Sequence, residues 1–248
     1  MYHILIGLSW MMIVIGILTA FYLTFKTAAG YGRYAKASRV TVPAKICWFV
    51  QEAPAFFIPL YFTFYWQTAY GLLANSLFMY HYAYRTFVYP FSLKSGNNTP
   101  LPIFIAGFSF CVINGFMQGA WNSKYQMNFG ELSTFQTMLM IAGIPIFVAG
   151  HLINKQSDSI LSNLRKPGET SYKIPKGGMF EYVSCANYFG EIVEWCGYAM
   201  FTQSLPSVAF AIFTASNIGP RALTHHQWYL EKFPEYPKQR KAVIPFVL

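Results

Sequence analysis

Residues 46–62 read ICWFVQEAPAFFIPLYF, and Glu52 is the one charged residue between positions 46 and 66. A lone carboxylate in apolar surroundings is costly unless it is paired or protonated. Burial favours the neutral carboxyl, which can donate a hydrogen bond, so Gln51-Glu52 reads as working chemistry. Four other groups share its character. Tyr82 and Arg85 stand three apart in an aromatic run, and Asn154 and Asp158 four apart. Asn187, Glu191, Glu194 and Tyr198 step by four, three and four, while Arg221, His225 and Tyr229 step by four and four. Each spacing puts its members on one helical face. Interhelical glue is the competing reading and suits any single Asn or Tyr. Taken together, Glu52, Arg85, Glu191 and Glu194 point instead to a polar cavity, because Gly and Ala pack helices without burying charge.

The elements that carry these residues are apolar. The 248 residues are 54% hydrophobic, 19% aromatic and 11% charged, against about 25% charged in soluble domains. Residues 4–25 carry no charge, enough to cross a bilayer core of roughly 30 Å. No Lys or Arg precedes them and no small-residue cleavage site follows, so they read as a retained span rather than a signal peptide. Further spans are expected at 46–66, 72–93, 101–121, 134–153, 179–202 and 205–220. The expected fold is thus an all-α, seven-helix polytopic membrane protein forming a single domain over residues 1–248.

Charge placement orients it. The net charge is +9. Lys26, Arg33, Lys36, Arg39 and Lys45 follow the first span, and Lys94 follows the third. Lys155, Arg165, Lys166, Lys173 and Lys176 lie between the fifth and sixth, with Arg221, Lys232, Lys238, Arg240 and Lys241 in the tail. The opposite side has Lys124 alone. One-sided loading of this kind puts the N-terminus outside and the C-terminus in the cytosol. It also argues for membrane lipid rather than nucleic acid as the partner of the positive charge. Cys47, Cys111, Cys185 and Cys196 fall in the expected spans without a CxxC or Cys-His cluster, so neither a disulfide framework nor a metal site is expected.

Residues 163–180, NLRKPGETSYKIPKGGMF, combine cations, hydroxyls and loop-forming Pro and Gly, which suits an anionic, phosphate-bearing ligand. Neither GxGxxG after a strand nor GxxxxGK[ST] is present, so a nucleotide would bind in the helix bundle itself.

These residues carry a resemblance. Asn154-x-x-Ser157-Asp158, NLRKPGETSYKIPKGGMFEYV (163–183), ANYFGEIVEWCGY (186–198), RALTHHQWYL (221–230) and FPEYPKQRKAVIPF (233–246) resemble the C-terminal signature of the steroid 5-alpha-reductase family, 3-oxo-5-alpha-steroid 4-dehydrogenase. WFVQEAP (48–54) and HYAYRTFVY (81–89) extend it through the N-terminal half, so it covers the chain from about residue 45 onward. It is closest to the steroid-reducing members.

The resemblance implies a seven-helix reductase that uses NADPH to saturate the 4,5 double bond of a 3-oxo-4-ene steroid drawn from the bilayer. Such a double bond takes hydride only as its conjugated carbonyl gathers negative charge, so the site needs donors at that oxygen and a nicotinamide over the beta carbon. By resemblance Glu52 and Tyr82 are catalytic and meet the 3-oxo group, Gln51 supports them, and Trp195 walls the steroid pocket. Whether Tyr82 donates directly with Glu52 orienting it, or Glu52 donates itself, stays open. Arg85, Asn154, Asp158, Arg165, Tyr172, Asn187, Glu191, Arg221, His225 and Tyr229 match cofactor-contacting positions. The implied membrane is the endoplasmic reticulum or a bacterial inner membrane, with the cofactor side cytosolic.

Two departures stand out. Steroid-reducing mammalian relatives carry an arginine-rich turn between the third and fourth spans where this chain has Lys94-Ser-Gly-Asn-Asn-Thr-Pro, leaving Lys94, Asn97 and Asn98 as substitutes. Lys173 stands where some relatives have Arg and so offers no bidentate fork. Competing readings are a reductase of another hydrophobic enone or enoyl thioester, a lipid transporter or receptor, and a membrane methyltransferase using S-adenosylmethionine. The halves show no internal repeat, which a transporter would favour; an enoyl-thioester reductase does not need the Gln51-Glu52 pair with Tyr82, and a methyltransferase leaves the Glu52–Tyr82 combination unexplained.

Overall fold

The computed structural model describes residues 1–25, 40–93, 98–164, 169 and 171–248. Eight α-helices account for most of these: α1 Tyr2–Phe25, α2 Ala44–Thr63, α3 Ala69–Phe87, the single turn α4 Tyr89–Ser92, α5 Leu101–Lys124, α6 Thr134–Asn163, α7 Ala186–Thr202 and α8 Leu205–Lys232. A two-residue antiparallel pairing, β1 Thr41–Val42 with β2 Thr99–Pro100, ties the segment before α2 to the one before α5.

Three helices, α1, α5 and α6, are long and apolar enough to cross a membrane. Of the other four long helices, α2, α3 and α7 are interrupted by Gln51-Glu52, Arg85, and Glu191 and Glu194. The polar residues that make those helices interesting are also what lowers their apolar character.

The fifth expected span, 134–153, continues as α6 to Asn163, and three other boundaries move for a local reason. The third expected span breaks at Val88, where α3 ends and α4 starts with Pro90 in its first turn; Pro90 has no N–H with which to continue the α3 ladder, and the first turn of a new helix is where that costs least. The sixth does not begin at residue 179. Gly177 and Gly178 adopt positive φ of 91° and 53°, a short 3-10 turn follows, and Val183 pairs with Lys241 in an isolated bridge before α7 starts at Ala186. The seventh does not stop at Pro220. That proline sits inside α8, which continues to Lys232, and the Thr224 hydroxyl donates to the Pro220 carbonyl at 3.2 Å.

Packing is closest between α6 and α7. A Cβ added to Gly150 would lie 2.2 Å from the Glu194 nitrogen, and one added to Gly190 would lie 2.4 Å from the Asn154 nitrogen. Only a hydrogen side chain lets the two backbones meet this way, the usual device of helix packing in lipid. At the end where α2 passes to α3, α5 to α6 and α7 to α8, amide side chains close the turns. Asn122 donates to the Tyr198 hydroxyl at 2.8 Å and to Asn75 at 3.2 Å, and Gln126 donates to the Thr202 carbonyl at 2.8 Å. Gln203, in the left-handed conformation that ends α7, donates to the Gln136 carbonyl at 2.7 Å.

The cysteines are free. Cys47, Cys111 and Cys185 are buried, Cys196 is exposed, and Cys185 precedes α7 rather than lying inside a span as its sequence position suggested.

Candidate active site

Glu52 faces inward from α2, 7% exposed. Gln51 donates to one of its oxygens at 3.4 Å and the Cys111 thiol of α5 to the other at 3.9 Å. Gln51 fits because α5 has Gly107 opposite it, where a Cβ would fall 2.4 Å from the Gln51 amide carbon. Tyr82 of α3, 4% exposed, packs against the rings of Phe78 and Trp195, at centroid separations of 4.7 Å and 6.1 Å. Glu52, Cys111 and Glu191 are all within electrostatic reach of Tyr82. Trp195 of α7 is fully buried, its ring 4.3 Å from Phe210, and among the described residues its indole nitrogen has no hydrogen-bond partner.

One turn further along α3, Arg85 is held on three sides. Its guanidinium donates to Asp158 of α6 at 3.3 Å and lies 4.6 Å from the Trp48 ring and 4.4 Å from the Tyr89 ring. Aromatic faces of this kind stabilise a desolvated cation. Glu52, Asp158 and Glu191 all lie within electrostatic reach of Arg85. Asn154, one turn before Asp158, donates to the Asn187 backbone carbonyl at 2.9 Å.

The α7–α8 side forms a second group. Arg221 donates to the Tyr188 hydroxyl at 2.9 Å and to Asn217 at 3.4 Å, and Tyr188 also meets His225 Nε2 at 3.5 Å. Tyr229 is buried, stacked on Tyr236 at 5.1 Å, and the half-buried Tyr172 packs edge-on to Trp228 at 5.1 Å. Asn187 and Tyr188, adjacent in the first turn of α7, connect the groups: one meets α6 and the other α8.

The structure thus gathers Gln51, Glu52, Tyr82, Arg85, Asp158, Glu191 and Trp195 in one interior region, with Asn154 and Asn187 at its edge and Arg221, His225 and Tyr229 beyond. Arg165, Lys94 and Asn97 lie outside the described residues. Asn98 donates to the Thr41 hydroxyl at 3.4 Å, and Lys173 pairs with Glu169 at 2.8 Å. The stripe read as one polar face of α7 divides among different partners. Tyr198 belongs to the amide network with Asn122, and Glu194, 0% exposed, is met by His81 of α3 and His151 of α6. Neither histidine stood out by spacing, since each pairs with a residue far away in the chain. Tyr188, Trp48 and Tyr89 were also missed; the one available signal was their adjacency to Asn187, to Gln51-Glu52 and to Arg85.

Chemically, the interior region offers a buried carboxyl and a buried phenol within electrostatic reach of one another in aromatic surroundings, which suits gripping one oxygen of an apolar ligand. The outer group offers a guanidinium, an imidazole, amides and phenols, a donor set that fits phosphate and ribose.

A sequence profile described as 3-oxo-5-alpha-steroid 4-dehydrogenase matches residues 97–248. The chain is 47% identical to rat 3-oxo-5-alpha-steroid 4-dehydrogenase 1 over 226 residues, 88% of this chain and 86% of the relative. Identity to the human type 1 protein is 44% over 228 residues, covering 90% and 87%. Identity to the pig type 2 protein is 41% over 250 residues, covering 93% and 92%.

Proposed function

The chain belongs to the 3-oxo-5-alpha-steroid 4-dehydrogenase family, and from that premise we propose that it reduces the 4,5 double bond of a 3-oxo-4-ene steroid to the 5-alpha-3-oxosteroid at the expense of NADPH. The observation that carries this reading is the burial of Glu52 and Tyr82 within electrostatic reach of each other, beside Phe78 and Trp195. An apolar ligand with one carbonyl at its end matches such a pocket: rings for its body, two donors for its oxygen.

Saturating an enone requires the carbonyl oxygen to take up charge as the beta carbon accepts hydride. Glu52 and Tyr82 hold their protons at that oxygen and stabilise the enolate that develops there. Gln51 and Cys111 fix the Glu52 carboxyl. C4 then takes one proton, from the site or from water, completing the addition of hydride to C5 and proton to C4. When bound, a reduced nicotinamide supplies the hydride. Arg85, Asn154, Asp158 and Glu191 would hold its reacting half, and Arg165, Tyr172, Asn187, Arg221, His225 and Tyr229 the rest. The reading needs no metal. Among the described residues the ligand atoms of His81, His151 and Glu194 lie within 4.8 Å of one another, and there Nδ1 of each ring is hydrogen-bonded to Glu194 Oε1, an arrangement that stands without an ion.

The same reading places the chain as one domain of seven spans, α1–α3 and α5–α8, with the N-terminus outside and the cofactor-facing loops in the cytosol, in the endoplasmic reticulum or a bacterial inner membrane. The one-sided cation placement supports it.

The test is direct. Membranes containing the protein, given testosterone or progesterone with NADPH, should form the 5-alpha-reduced product; absence of product from any 3-oxo-4-ene steroid would sink the proposal. Asp158→Ala should raise the NADPH concentration for half-maximal rate by about ten-fold, the scale of one lost charge-assisted contact. An unchanged NADPH requirement would remove Asp158 from the cofactor site.

A further inference from the structure

Glu194, His81 and His151 have no part in the reaction just described, yet they are among the most thoroughly buried polar residues of the molecule. Their geometry is specific. His81 Nδ1 lies 2.8 Å and His151 Nδ1 2.9 Å from the same oxygen, Glu194 Oε1, while Oε2 is buried without a partner among the described residues. A carboxylate oxygen only accepts, so both rings present Nδ1–H to it. Two hydrogen bonds to one charged acceptor are stronger and more directional than neutral ones. The cost of leaving Oε2 unmet argues that the arrangement is kept for position rather than for stability alone.

What the three residues connect is the two halves of the reaction. His81 precedes Tyr82 on α3, with ring contacts to Tyr82 at 5.1 Å and to Trp195 at 4.6 Å. His151 lies one turn before Asn154 on α6, the helix that also carries Asp158. Glu194 itself lies between Glu191 and Trp195 on α7. His81 is within electrostatic reach of Glu52 and Asp158, and Glu194 of Asp158. A single oxygen therefore ties the helix holding the substrate-gripping phenol to the helix holding the cofactor-side amide and carboxylate.

We propose that Glu194 is a positioning residue that, through His81 and His151, sets the spacing between the steroid-gripping and the cofactor-holding sides of the site. Hydride transfer depends steeply on that spacing; a misplacement of about 1 Å costs on the order of 100-fold. The inference rests on the reductase reading above, and each arm has its own readout. His81→Leu cuts the α3 arm: kcat falls about 100-fold while the NADPH dissociation constant, measured by protein fluorescence, stays within about three-fold of wild type. His151→Leu cuts the α6 arm and weakens NADPH binding about ten-fold. His81→Asn places an amide N–H where Nδ1–H stood and recovers kcat at least about ten-fold over His81→Leu, whereas His81→Gln, whose amide reaches the Nε2 position, does not. That Asn-over-Gln difference carries the test if a leucine variant fails to fold.

A mere strut predicts otherwise. If both leucine variants lose kcat and NADPH affinity together, in step with lost thermal stability, the proposal is overturned. It is overturned equally if His81→Asn performs no better than His81→Gln, or if His81→Leu keeps wild-type kcat. Wild-type protein that forms no 5-alpha product refutes the reductase reading instead, and the NADPH-binding arm still reports on Glu194 and His151.

Discussion

Glu52→Gln and Tyr82→Phe should each lose about 100-fold or more in turnover while binding NADPH normally, the scale of removing one donor from a developing oxyanion. Both changes are nearly isosteric, which makes them informative. Gln keeps the volume of Glu52 and one accepting oxygen for Gln51 or Cys111, but offers an amide in place of an acidic proton. Phe keeps the ring of Tyr82 against Phe78 and Trp195 and deletes only the hydroxyl. Folding and cofactor binding are therefore expected to survive, and the loss should fall on kcat with any steroid. The measurement is steady-state turnover in membranes, alongside NADPH binding by fluorescence. Full activity in both variants would show that neither residue acts at the carbonyl.

Gly150→Ala is expected to cost about 3 kcal/mol or more in stability, although it adds a single methyl group. The new Cβ would stand 2.2 Å from the Glu194 nitrogen, 2.6 Å from its Cα and 2.7 Å from the Gly190 carbonyl oxygen. All three are backbone atoms on α7, so no side-chain rotation relieves the clash and the two helices must move apart. That separation strains the Asn154–Asn187 and His151–Glu194 contacts together. Thermal unfolding of the purified protein in detergent should fall by several degrees, and activity should fall with it. A variant as stable as wild type would mean that α6 and α7 approach less closely than described. The same substitution at Gly130, where a Cβ meets nothing within 4 Å, serves as the control.

Much of the site's composition was legible because polar residues stand out against apolar spans. Glu52 announced itself by isolation, and Tyr82 with Arg85, Asn154 with Asp158, and Arg221 with His225 and Tyr229 by helical spacing. Spacing then reached its limit. Glu194 and Tyr198 belonged to the same stripe as Asn187 and Glu191, yet one meets two histidines and the other an asparagine in an amide network. A face tells which way a side chain points and not what waits there. Element boundaries failed where a breaker behaved against expectation: Gly177 and Gly178 delayed α7, while Pro220 was absorbed into α8.

What the sequence determined by itself was local: long apolar stretches, cations gathered in a few of the segments between them, and carboxylates isolated in apolar surroundings. Each follows from a residue and its neighbours within a turn or a span. Only the tertiary structure decided the pairings, because Arg85 meets Asp158 across 73 positions and His81 meets Glu194 across 113. Those meetings depend on how closely the backbones of α3, α6 and α7 approach. The approach of α6 to α7 is set by hydrogen atoms on Gly150 and Gly190, residues whose importance lies in the side chain they lack.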